Sequence, residues 1–166
     1  MTVTIEEVNS MYKGIVEAVE SLGYHPNKLE RPIYWSNSKR VFGKTTKDCR
    51  FKTPKYYIDI SKPLTLALDN PFELYETIAH ETIHTVDGCM DHGPKWKKIV
   101  GLFNAKYGTK ISRTSSLPEG LIESSPYVLE CTECGKRFAF QRMCKTVKFP
   151  ELYQCGERKG YLKRIT

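Results

Sequence analysis

Val8, Met11, Tyr12, Ile15, Val16, Val19 and Leu22 recur at three- and four-residue intervals, the spacing of one apolar stripe on an α-helix. Thr4 and Glu7 form a capping box at its start, and Gly23 marks its end. The period then changes. Ile33-Tyr34-Trp35, Lys39-Arg40-Val41-Phe42-Gly43 and Tyr56-Tyr57-Ile58-Asp59-Ile60 are short β-prone runs separated by Ser-Asn-Ser and by a basic, turn-rich connection. They predict a small, mostly antiparallel sheet. A second helix is predicted from Pro71 to about Asp87, with Asn70 as N-cap, Glu73 completing a capping box and Gly88 ending it. A third, over Pro94 to Tyr107, carries Trp96, Ile99, Val100, Phe103 and Tyr107 on one stripe and stops at Gly108. Residues 112–126 are rich in Ser, Pro and Gly and read as a linker or a loop laid over the body, and a Cys-containing hairpin module is predicted from Tyr127. The expected fold is therefore α+β: helices packed on a small sheet over 1–115, a connection over 116–126 and a β module over 127–166.

Length and apolar content suit one globular core with a small appendage. The N-terminus lacks an apolar h-region, and no run approaches the 18 apolar residues of a membrane span. The expectation is a cytoplasmic monomer (nucleoid-associated in a bacterial or phage setting) that touches no membrane. In that compartment thiols stay reduced, so cysteines read as metal ligands before disulfides. Four of the six cysteines, Cys131, Cys134, Cys144 and Cys155, fall in the last 36 residues, which argues for a local metal site. The net charge of +7 is also localised: residues 127–166 carry +5 of it, and Lys39 to Lys55 holds seven basic residues against Asp48 alone. Two basic regions, with Lys39, Arg40, Lys44 and Lys47 in one and Arg137 and Arg142 in the other, suit a nucleic-acid partner. Solvated lysines on an ordinary surface explain the charge equally well.

The sharpest chemical signal is His80-Glu81-Thr82-Ile83-His84 in the second helix. At the helical repeat, the two histidines lie about 40° apart and roughly 6 Å along the axis, so both rings can reach one ion. On the same wheel Leu74, Tyr75, Ile78, Ala79, Thr82, Ile83 and Val86 fill a broad apolar arc, leaving His80 and His84 with Glu73 and Thr77 toward a cleft. In the HExxH arrangement the carboxylate, here Glu81, is not a ligand but a general base toward a zinc-activated water. A third ligand is required. The metzincin spacing fails, because Asp87 and Met90 occupy its positions; His92, eight residues after His84, is favoured over Asp87 and Asp91.

These residues resemble the SprT-like family of zinc metallopeptidases, which includes Spartan. The match extends to Lys39-Arg40-Val41-Phe42-Gly43, to Tyr57-Ile58-Asp59-Ile60, to His92-Gly93-Pro94-Lys95-Trp96, and to Asn104 through Gly108 to Ile111. It covers about residues 5–115, with a shorter loop between His84 and His92 than in Spartan, and continues weakly into a C-terminal zinc ribbon. The resemblance implies a zincin-like minimal metalloprotease core with one catalytic Zn²⁺, and an endopeptidase acting on DNA-bound or DNA-crosslinked proteins.

Cys131-Thr132-Glu133-Cys134-Gly135 is a zinc-knuckle signal in its own right. The family's second knuckle is met by Tyr153, Cys155, Gly160 and Leu162, but Arg158 stands where its fourth Cys belongs, and an Arg cannot ligate zinc. Cys144 is the thiolate left to complete a Cys131/Cys134/Cys144/Cys155 site for a second, structural Zn²⁺; the alternative is a degenerate ribbon without metal. Phe138, Phe140, Tyr153 and Tyr161 interleave with basic residues as single-stranded DNA binders do, although the two Phe also suit the module's own core. His25, Cys49 and Cys89 read as ordinary residues. The rival to the peptidase reading is a non-proteolytic nucleic-acid-binding adaptor with a structural or inactive zinc helix; a zinc hydrolase of non-peptide bonds is a third possibility.

Overall fold

A computed structural model describes residues 3–68, 70–113, 122, 125–156 and 159–166. The chain forms two compact units, 1–115 and 116–166.

In the first unit, helix α1 spans Ile5–Glu20, with the Thr4–Glu7 capping box formed in both directions. Gly23, at φ +80°, turns the chain away. Strands β1 (Tyr34–Ser36), β2 (Gly43–Asp48) and β3 (Lys55–Ser61) make a sheet in the order β1-β3-β2. β2 runs antiparallel to β3 over six register pairs, whereas β1 runs parallel to β3 over three. The sheet is thus mixed, with the antiparallel ladder the longer one.

The predicted strand at Lys39–Gly43 is displaced. Ser38 Oγ accepts from the amides of Arg40 and Val41, and its carbonyl accepts from Ser61 Oγ, so residues 38–41 form a hydroxyl-capped turn. The strand begins at Gly43 and uses the β-branched pair Thr45-Thr46 instead, a stretch that reads from sequence as basic connection.

A short helix, α2 (Lys62–Leu66), follows, capped by Ser61 Oγ and unanticipated by the periodicity. Helix α3 spans Pro71–His84, three residues shorter than predicted. Its end is tightened because both the amide and the hydroxyl of Thr85 bond Thr82 O, while Val86 leaves the helix to bridge Pro26. Asn70 caps its start by accepting from Phe72 N, and Pro71 is the first helical residue. Helix α4 covers Pro94–Tyr107 as predicted and stops at Gly108, φ +67°. Val8, Ile15 and Val19 of α1, Ile58 and Ile60 of β3, Leu74, Ile78 and Ile83 of α3, and Trp96, Ile99 and Phe103 of α4 are buried together. Helix α3 lies in the middle, packed against α1, β2, β3 and α4. Its residues are consequently enclosed well beyond the apolar arc: Glu81 and His84 retain only 7% and 6% exposure.

In the second unit, β4 (Tyr127–Cys131) pairs antiparallel with β5 (Arg137–Phe140) on one side and β6 (Leu162–Arg164) on the other. A one-turn helix α5 (Lys145–Lys148) and a 3-10 turn (Pro150–Leu152) intervene. Leu129, Cys131, Cys155 and Leu162 form its core, with Cys134, Phe138 and Phe140 against them. Phe138 and Phe140 are thus core residues, while Tyr153 and Tyr161 are exposed. Among the described residues, no helix is long and apolar enough to cross a membrane.

Candidate metal centre

His80 and His84 project from α3 one turn apart, and His92 comes back to them from the loop before α4. Their Nε2 atoms form a nearly equilateral triangle with sides of 3.2 Å (His80–His84), 3.2 Å (His84–His92) and 3.1 Å (His80–His92). A tetrahedral ion with Zn–N distances of about 2.05 Å requires ligand nitrogens roughly 3.3 Å apart, so the triangle fits zinc.

The other ring nitrogens determine the tautomers. His80 Nδ1 lies 3.0 Å from Ser112 O, and His84 Nδ1 meets Cys89 O. A carbonyl can only accept, so each Nδ1 carries the hydrogen and each Nε2 presents its lone pair to the ion position. Burial, together with the neighbouring His84 and His92, holds the His80 pKa down at about 4, and burial likewise lowers those of His84 and His92. All three rings are neutral at pH 7, the form that ligates metal. The Trp96 indole closes the base of the site, its ring centroid 4.9, 5.5 and 4.6 Å from those of His80, His84 and His92.

Local geometry explains why His92 is the third imidazole. Gly88, at φ +75°, reverses the chain after α3. Asp91 Oδ1 accepts from Gly93 N, and Pro94 starts α4 immediately afterwards. The loop is thereby pinned on both sides of His92. Asp87, one alternative ligand, is turned away to Asn27 Nδ2 (2.9 Å), and Asp91 is the turn-former just described. The Cys89 thiol is buried outside the triangle; only its carbonyl takes part.

Two further features were not legible as site residues. Asn104 accepts from Ile111 N (3.0 Å) and Thr109 Oγ1 (2.6 Å) and donates to Ile111 O (2.9 Å), clamping the turn after Gly108. That clamp sets the adjacent Ser112 carbonyl on His80. The Asn104–Gly108–Ile111 spacing was the available signal. Residue 112, expected to open a linker, belongs instead to the site.

The second feature surrounds Glu81, whose Oε2 lies 2.7 Å from the Thr45 hydroxyl on β2. Gly43, on the same strand, leaves space for the carboxylate: a Cβ there would lie 2.5 Å from Glu81 Cγ and 2.8 Å from Oε1. Burial pushes the Glu81 pKa up to about 7, against the opposing pull of the Thr45 hydrogen bonds.

The SprT-like family model matches residues 17–115, more than half of the chain. The chain belongs to the SprT-like family. A comparison with curated proteins returns no match. The SprT-like segment contains the three histidines, Glu81, Thr45 and the Asn104 clamp, and it ends where the first compact unit ends.

Beyond the SprT-like segment, Cys131, Cys134 and Cys155 form a second potential metal group. The Cys134 and Cys155 sulfurs are 3.7 Å apart, close to the roughly 3.8 Å edge of a tetrahedron with Zn–S distances of about 2.3 Å. Cys131 N bonds Lys136 O and Gly135 N bonds Cys131 O; likewise Cys155 N bonds Gly160 O and Lys159 N bonds Cys155 O. Gly135 (φ +69°) and Lys159 (φ +56°) occupy equivalent left-handed positions, so two knuckle-like turns face each other. A Cβ at Gly160 would lie 2.7 Å from Cys131 Sγ, which makes glycine necessary there. Cys144, expected as the fourth thiolate, is not brought into this group: it is exposed at the start of α5. Arg158 lies outside the described residues.

Of the basic residues expected to meet nucleic acid, Lys39, Arg40, Lys44 and Arg142 are exposed. Lys47 is directed at the Tyr56 ring, 5.5 Å from its centroid. Arg137 is paired with Glu130, which also pairs with Lys163 across the sheet. Cys49 and His25 are exposed and distant from both metal groups in sequence.

Proposed function

We propose that the SprT-like unit is a zincin-like, zinc-dependent endopeptidase, with His80, His84 and His92 as metal ligands and Glu81 as general base. The observation that carries this reading is the three-imidazole triangle beside a buried carboxylate, with no fourth protein ligand grouped with it among the described residues. A sealed structural site uses four protein ligands, whereas a hydrolytic one keeps a position open. When bound, zinc supplies Lewis acidity, polarising the scissile carbonyl and lowering the pKa of water. Glu81 accepts the proton of the attacking water and returns it to the leaving amine nitrogen. Burial raises the pKa of this carboxyl in the metal-free chain, which favours its taking up a proton. The neutral imidazoles hold the ion and leave Glu81 as the ionisable group that moves the proton.

The second unit is proposed as a zinc-ribbon-like module holding a second ion through Cys131, Cys134 and Cys155, which tie its two knuckle-like turns together. A cytoplasmic compartment, where thiols stay reduced, is proposed because it suits cysteine ligands. DNA-bound or DNA-crosslinked proteins are the proposed substrates, supported by the family resemblance and by the positive charge. Lys39, Arg40, Lys44 and Arg142 are the contacts favoured, because Arg137 is committed to Glu130.

The deciding experiment is Glu81→Gln in the zinc-loaded chain. Cleavage of an unstructured protein should fall roughly 10²- to 10⁴-fold while zinc content is unchanged. If the zinc-loaded wild type, supplied with DNA, cuts no protein, the adaptor reading replaces this one. DNA binding is tested by its salt dependence: affinity should fall steeply as salt rises, and binding that ignores salt removes the polyanion partner.

A further inference from the structure

Glu81 is the fourth residue counted back from the C-terminal end of α3 and so owns one of the four carbonyls that an α-helix leaves without an internal partner. The amide that would ordinarily serve it, Thr85 N, is drawn to Thr82 O instead. The gap is filled from another element. Thr45 Oγ1, on β2, lies 2.9 Å from Glu81 O and 2.7 Å from Glu81 Oε2. One hydroxyl therefore touches the main chain and the side-chain carboxyl of the same residue.

A hydroxyl has one hydrogen and two lone pairs. Its single hydrogen can serve the helix carbonyl or the Glu81 carboxyl, or be shared between them, and both oxygens lie within its reach. Valine has the shape of threonine but neither capacity. Serine has both.

We infer that Thr45 is the positioning residue of this centre, holding the Glu81 carboxyl in one orientation through a hydroxyl that also reaches the end of α3. The inference rests on the proposed role of Glu81 and adds a residue that the HExxH pattern does not contain. It also gives β2 a purpose beyond the sheet: Gly43 makes room for the carboxyl, and Thr45 two residues later, on the same face, holds it.

The test compares Thr45→Val and Thr45→Ser with wild type and Glu81→Gln, all as the full zinc-loaded chain. On an unstructured protein substrate, Thr45→Val should lower kcat roughly 10- to 100-fold, with KM and zinc content unchanged, and Thr45→Ser should restore most of it. Crystal structures of the same variants give a second readout that needs no turnover. The Glu81 carboxyl should leave its place in Thr45→Val and keep it in Thr45→Ser. A carboxyl that stays in place in Thr45→Val overturns the inference whether or not the protein cuts anything. So does an unchanged kcat in Thr45→Val when Glu81→Gln is inactive. An active Glu81→Gln overturns the role of Glu81 itself, which is a separate result.

Discussion

Replacing Gly43 by alanine is the most discriminating perturbation available, because it adds one carbon to the wall behind Glu81 and touches no proposed ligand. The backbone at Gly43 is not in the left-handed region, so alanine is conformationally allowed there. The added Cβ would lie 2.5 Å from Glu81 Cγ and 3.0 Å from Cδ. Carbon atoms pack at about 3.5–4.0 Å, so the Glu81 side chain or the strand must retreat by about 1 Å. Either movement separates the carboxyl from Thr45 or from the attacking water. A misplacement of that size costs roughly 100-fold in rate, or about 2.7 kcal/mol of transition-state stabilisation. The loss should appear in kcat, measured by steady-state cleavage of a labelled unstructured protein, with zinc content unchanged by elemental analysis. Gly101→Ala is the control: nothing lies within 4 Å of its added carbon on α4. It should leave kcat unchanged while stabilising the helix by about 0.5–1 kcal/mol. A Gly43→Ala protein whose kcat stays within about threefold of wild type, less than about 0.7 kcal/mol, refutes the assignment of β2 as the support of Glu81.

Removing the Asn104 clamp with Asn104→Ala should weaken zinc binding roughly 10- to 100-fold in a competition titration, because Ser112 O no longer orients His80; unchanged affinity would sever that link. Metal analysis of the full chain should give two zinc ions for wild type and for Cys144→Ser, but one for Cys155→Ser; a second ion lost with Cys144 would restore it as a ligand. In zinc-free protein, the two perturbed groups act oppositely on stability. The folded pKa of His80 is depressed to about 4, so its contribution is present above 6.5 and lost as pH falls toward 4. The folded pKa of Glu81 is raised to about 7, so its contribution is present below 4.5 and lost as pH rises toward 7. Between pH 4.5 and 6.5 the two nearly cancel. Urea denaturation of zinc-free Glu81→Gln should therefore show stability rising with pH more steeply than wild type, by about 1.4 kcal/mol per pH unit. Parallel slopes would show that Glu81 is not neutral in the metal-free fold.

Short-range chemistry in the sequence determined a great deal here. The capping box at Thr4, the Asn70-Pro71 start, the glycine stops and the 3.6-residue stripes are local devices, and they place α1, α3 and α4 to within a few residues. His80 and His84 share a helical face by covalent spacing alone, so their meeting at one ion follows from the chain itself. His92 was reachable by counting to the next glycine-bounded imidazole. Cys131 and Cys134 were visible for the same reason, since C-x-x-C-G is one turn. What needed the folded chain were contacts between segments remote in sequence. Thr45 meets Glu81 across 36 residues, and Ser112 meets His80 across 32. Neither partner carries a local pattern, because a hydroxyl or a carbonyl becomes a site group only when packing brings it to the right atom. The strand shift from Lys39–Gly43 to Gly43–Asp48 shares this origin in part: the Ser38 turn on Val41 is local, but the Ser38 carbonyl meets the Ser61 hydroxyl across 23 residues, only once the end of β3 lies alongside it. Cys144 shows the converse. It had the correct element to be a ligand, yet it starts α5 with its thiol exposed, and the chain brings Cys131, Cys134 and Cys155 together without it.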